Sequence, residues 1–130
     1  MRGIVVYDPS GAVTGGLPLD RDPHLALVAA VLAWGPAPVG VRAADRAQIG
    51  LQLTGHAQCV AADVRHRYEA LPADSELHPL TKAVLRESAN RLSTGPATAV
   101  ARIQNRARLI QALYRALDRL DVTQRPAPAT

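Results

Sequence analysis

Val100, Ile103, Ala107, Ile110, Tyr114 and Leu117 follow one another at alternating steps of three and four residues, and Leu113 and Leu120 widen the same stripe. Only a helix of 3.6 residues per turn gathers that spacing onto one face. The segment near 97–121 is therefore expected to be an amphipathic α-helix. A helix with so broad an apolar side must cover it with other elements, and helices are the cheapest partners for a chain this rich in Ala and Leu.

A second long helix is expected near residues 43–71. No proline interrupts it, and Ile49, Leu53, Val60, Val64 and Leu71 recur at helical spacings or their sums before Pro72 stops it. Gly50 and Gly55 each cost about 1 kcal/mol against Ala inside a helix, so each is expected to mark a close crossing or a bend. A third helix is expected to start between Ser75 and Pro79, to carry Leu80, Val84, Ser88 and Leu92 on one face, and to end at Gly95. Pro96 then suits the opening of the fourth.

Ahead of these, Asp22-Pro23 reads as a helix start, and the run from His24 to Trp34 is apolar nearly all round before Gly35-Pro36-Ala37-Pro38 ends it. Such a helix belongs either in a core or at an interface between molecules. Residues 1–22 contain Ile4-Val5-Val6-Tyr7, a turn-prone Asp8-Pro9-Ser10-Gly11 and Ala12-Val13-Thr14, which suit either a short β-hairpin or an extended arm. The fold expected is mainly α: a four-helix up-down bundle over 23–121, with the arm or hairpin at 1–22 and a disordered tail at 122–130.

Composition narrows the function classes. The chain has 130 residues and a formal charge of +4, mildly basic but short of a nucleic-acid signature unless the charge is clustered. With Trp34, three tyrosines and no Phe, platforms for stacking bases are scarce. The single Cys59 rules out an intramolecular disulfide and any all-thiolate zinc site, and it fits a reducing cytoplasm. The apolar run Ile4 to Tyr7 is too short for a signal-peptide core, and Leu25 to Trp34 falls well below the roughly 20 residues of a membrane span. A cytoplasmic protein without membrane contact is the expectation.

Reactive side chains concentrate in the 43–71 helix. His56, Cys59, Asp63 and His66 stand at steps of three, four and three along one side. The first and last are about 15 Å apart at 1.5 Å rise per residue, so no single ion reaches all four. His56 with Cys59 is the pair a metal could use, completed by Glu87, His24 or His78. The competing reading puts His56 and Cys59 at the edge of the packed face and pairs Asp63 with Arg67. For proton transfer the candidates are His56, Asp63, Tyr68 and Tyr114. No nucleophile elbow, phosphate loop or zinc-protease motif is present, and no cofactor is expected.

The last helix also carries Arg102, Arg106, Arg108 and Arg115, with Asn105 and Gln111 among them, a set able to contact phosphates. The same residues suit the solvated side that any amphipathic helix has, and Asp118 and Asp121 dilute the charge. Fourteen of the fifteen basic residues are Arg, as codon usage in a GC-rich genome would give.

Leu51-Gln52-Leu53-Thr54-Gly55-His56 with Ala70-Leu71-Pro72, then Ala83 to Leu92, then Arg102 to Leu109 with Ala112-Leu113-Tyr114 resemble a family of small helical actinobacterial domains. That family is frequent in Streptomyces, is classed as a domain of unknown function and is sometimes labelled a natural-product biosynthesis protein. The resemblance spans roughly residues 23–120 and leaves out the N-terminal arm. It implies an actinobacterial source and a setting in specialised metabolism, with no catalytic residues to carry over. The function expected is a non-enzymatic interaction or regulatory module that associates with itself or another protein. The alternatives are a small-molecule-binding protein or cofactor-free enzyme of natural-product chemistry and, third, a DNA-binding protein using the arginine helix.

Overall fold

The computed structural model describes residues 21–124. Four helices make up these residues: α1 (Arg21–Leu32), α2 (Ala43–Glu69), α3 (Leu77–Leu92) and α4 (Val100–Gln124). No strand occurs among the described residues. The arm or hairpin expected at 1–22 lies outside them up to residue 20, as does the expected tail beyond 124. At both boundaries helix replaces what the sequence suggested, since α1 begins at Arg21 and α4 runs past 121 to Gln124.

The helix in the middle is α4. It packs most extensively on α2, next on α1, and also on α3. Its stripe is buried as the spacing requires, with Ile103, Ala107, Ile110, Leu113, Tyr114, Leu117 and Leu120 all withdrawn from water. Enclosure from three sides extends the buried surface to Leu109 and Ala116, which lie off the expected stripe. From α2 come Leu53, Ala57, Val60 and Val64, and from α1 Val28 and Val31. These side chains form one continuous core.

The opening of α2 is fixed by Asp45, whose carboxylate accepts the backbone N–H of Arg42 at 3.4 Å and its guanidinium at 3.1 Å. Placing an acid in the first turn also suits the helix dipole. Gly50 is a point of close approach: a Cβ there would fall well inside contact distance of the Ala97 carbonyl oxygen. Gly55 faces open space and marks no crossing.

Two expectations are corrected. The buried face of α3 is shifted from the one expected: Ser88 is buried and Val84 and Leu92 pack half-buried on the core, but Leu80 is 46% exposed and Thr81 and Leu85 lie inside instead. The Ser88 hydroxyl is satisfied in the core by donating to the Val84 carbonyl at 2.7 Å, so it costs little to bury. Pro96 does not open α4, which starts at Val100. Gly95 has φ +96°, a left-handed conformation suited to glycine, and the segment it begins turns the chain across Gly50 before α4 starts.

Candidate functional site

One cluster gathers reactive side chains from three helices. His56 falls on the packed side of α2 because it follows Leu53 by three residues and precedes Val60 by four, and it is 7% exposed. From α4, Tyr114 arrives by the same logic on the Ile110–Leu117 stripe and is 4% exposed. His56 Nε2 and the Tyr114 hydroxyl are 2.6 Å apart, a short buried hydrogen bond in which the tautomer decides the donor. From the first turn of α1, His24 lays its ring on that of His56, with centroids 3.6 Å apart and planes 3° from parallel. The guanidinium of Arg21 lies over the Tyr114 ring at 4.2 Å and pairs with Asp118 at 2.8 Å.

The other proton-transfer candidates are elsewhere. Asp63 faces Arg67 at 3.9 Å, and Arg67 also pairs with Asp121 of α4. Tyr68 approaches His78 Nδ1 at 3.5 Å, the long end of a hydrogen bond, with the rings tilted at 45°. Of the four candidates, then, only His56 and Tyr114 meet.

Cys59 is half-buried one turn beyond His56. Of the groups proposed to complete a metal site, His24 reaches His56, but through ring stacking, whereas Glu87 pairs with Arg91 at 2.7 Å and His78 is with Tyr68. Among the described residues no three His, Cys, Asp or Glu side chains are grouped to hold a metal ion.

The arginines of α4 divide. Arg102, Arg108 and Arg115 are exposed, and Arg102 donates to the Thr94 carbonyl at 2.9 Å. Arg106 is withdrawn instead, only 2% exposed, and so cannot reach a phosphate from this position. It donates to Thr54 Oγ1 at 3.2 Å, Thr94 Oγ1 at 3.4 Å and the Gly95 carbonyl at 2.9 Å, tying α2 and the 93–99 segment to α4. Burial lowers its pKa, and the neighbouring charge of Arg102 lowers it further.

An open depression of about 520 Å³ lies between Pro36–Pro38, Arg46 and the start of α4 at Ala99–Ala101, away from the histidine cluster. Arg46 there donates to the Val41 carbonyl at 3.2 Å. Sequence reasoning named His24 as a possible partner of His56 but missed Arg21, whose role follows from its place one turn before His24. Comparison with models of known protein families, with curated proteins and with solved structures finds no match to this chain.

Proposed function

We propose that the chain is a non-enzymatic interaction module, of accessory or regulatory kind, that associates with a second copy of itself through the outer side of α1. The observation that carries this reading is the chemistry of that side. Ala26, Ala29, Ala30 and Ala33 are exposed, Val39 in the same stretch is 98% exposed, and no Asp, Glu, Lys or Arg occurs between Asp22 and Arg42. A helix facing only water normally carries charge there. Small side chains also let two helices approach closely, so that a self-complementary pair can form about a two-fold axis.

Light scattering coupled to size exclusion tests the reading. A dimer is expected for the unmodified chain and a monomer of unchanged helicity for Ala30→Arg. A monomer at the highest soluble concentration overturns self-association and leaves a different protein as the partner to be sought. An up-down course of the four helices, supported by the short connections at 70–76 and 93–99, a cytoplasmic location and an actinobacterial natural-product setting belong to the same proposal. No described helix is long and apolar enough to cross a membrane.

A second reading, a small-molecule site or cofactor-free enzyme, draws on the buried His56–Tyr114 contact, which has the residue types of a proton-transfer pair. Its test is ligand-induced change in the His56 imidazole signals. DNA binding through Arg102, Arg108 and Arg115 is the third. It requires affinity for duplex DNA that falls steeply with salt and is lost when all three are replaced by Ala.

A further inference from the structure

We infer that the uncovered row of α4 formed by Arg108, Arg115 and Arg119 is a docking surface for an acidic helix of another protein. This goes beyond the association proposed through α1. It concerns a different surface and a partner of opposite charge, and it holds whether or not the chain dimerises.

The row follows from helix geometry. Steps of seven and four residues bring Arg108, Arg115 and Arg119 within about 40° of one another around the axis, about 10 Å and about 6 Å apart along it. All three are exposed. On one side of them Gln104 and Asp118 meet α1, through the Val31 and Trp34 carbonyls and through Arg21. On the other side Asn105 accepts from Arg91 of α3. Helices α1 and α3 do not touch each other, so the strip of α4 between them is left open.

No acid answers these arginines. Arg67 on α2 and Arg91 on α3 each face a carboxylate one turn away on their own helix, Asp63 and Glu87. The two acids of α4 are instead turned to other helices, Asp118 to Arg21 and Asp121 to Arg67. Among the described residues, the side chains of Arg108, Arg115 and Arg119 take part in no ion pair or hydrogen bond. Like charges one turn apart on a helix repel, as at Arg115 and Arg119. Carboxylates brought from outside pair with the guanidinium forks and relieve that repulsion.

Charge also decides the occupant. The residues before 21 and after 124 bring Asp8 and Asp20 against Arg2 and Arg125, so they add no net negative charge. A second copy carries the same formal charge of +4. The occupant is therefore a different, acidic chain. Its shape follows from the width of the strip, which holds cations in single file. Toward α1 there is no Arg or Lys between Arg21 and Arg42, and toward α3 Arg91 is already paired. Lys82 and Arg86 lie about 140–180° round α3 from Arg91, on its far side. A helix of about 10–12 Å diameter suits such a strip. Duplex DNA, with phosphates on two strands, calls for cations on the flanking helices as well.

The test is an NMR titration of the full chain at low salt with a synthetic helical peptide carrying Glu at i, i+4, i+7 and i+11, a spacing that matches the row in either direction. Saturable shifts at Arg108, Arg115 and Arg119 are expected, with affinity at least tenfold lower for the same peptide with Gln in place of Glu. The combined variant Arg108→Ala, Arg115→Ala and Arg119→Ala puts the best helix former at three exposed positions, so it keeps the fold, and is expected to bind at least tenfold more weakly. Arg86→Ala is expected to bind like the unmodified chain. Absence of binding overturns the inference, as does unchanged affinity in the combined variant or an equal loss in Arg86→Ala. Equal affinity for a peptide with its four glutamates spread round the helix overturns it too, since only unspecific attraction is then left. Tighter binding of a short DNA duplex through the same arginines overturns it in favour of the DNA reading.

Discussion

The ring of His24 rests flat on that of His56, 3.6 Å between centroids, and Nε2 of His56 meets the Tyr114 hydroxyl at 2.6 Å. Three residues from three helices thereby form one unit, joining α1, α2 and α4 through a polar contact inside an apolar core. Deleting the hydroxyl with Tyr114→Phe leaves a buried imidazole nitrogen without that partner, which costs about 1–3 kcal/mol. The phenyl ring still receives the Arg21 guanidinium. Tyr114→Leu removes that contact as well, so a further loss of about 0.5–1 kcal/mol is expected. Urea unfolding of the two variants separates the terms, and equal stability of Tyr114→Phe and the unmodified chain contradicts the hydrogen bond's role.

Gly50 and Gly55 lie on one helix and predict opposite outcomes. At Gly50 an added methyl meets the Ala97 backbone, which cannot swing aside as a side chain can, so Gly50→Ala is expected to destabilise by about 1–3 kcal/mol. At Gly55 the methyl enters open space in a helix interior, and Gly55→Ala is expected to stabilise by about 0.5–1 kcal/mol. Thermal unfolding measures both, and a stabilising Gly50→Ala contradicts the close approach.

The different fates of these two glycines show how far the sequence could be read. Spacing alone located α2 and α4, because each apolar stripe is long enough for its period to be unambiguous. It could not say which glycine met a neighbour, since that depends on where the 93–99 segment returns. For α3 the pattern was ambiguous: Leu77, Leu80, Val84, Leu85 and Leu92 permit more than one buried face. Contact with α2 and α4 selects the face of Thr81, Leu85 and Ser88, so Leu80 is left outside. At the candidate site His56 and Tyr114 could be named from their own helices, but their meeting, and the stacking of His24, depend on how three helices pack.

Arg67 joins Asp63 on its own helix and Asp121 on α4, with its side chain 31% and that of Asp121 42% exposed. Water screens a pair in that position, so Asp121→Asn is expected to lower stability by less than about 1 kcal/mol, and the loss is expected to shrink in high salt. Denaturant unfolding at low and high salt checks this. A loss above 2 kcal/mol at both salts contradicts the view that the pair is a minor contributor.

Arg106 was legible as a core position only against the grain of its charge. It follows Ile103 by three residues and precedes Ile110 by four, which places it on the α4 stripe itself. Enclosure of α4 by the other three helices completes the burial. The guanidinium is held by the Thr54 and Thr94 hydroxyls and the Gly95 carbonyl, all neutral acceptors, so its desolvation is offset by hydrogen bonds and not by an opposite charge. Truncation by Arg106→Ala removes these three hydrogen bonds and opens a cavity, for an expected loss of about 2–4 kcal/mol. Arg106→Met keeps much of the volume and removes the cost of burying charge, so its loss is expected to be smaller. Arg106→Lys keeps the charge but cannot span acceptors on α2 and the 93–99 segment, and is expected to be less stable than Arg106→Met. Chemical denaturation of the three variants gives the order, and a Lys variant as stable as the unmodified chain would refute the clamp.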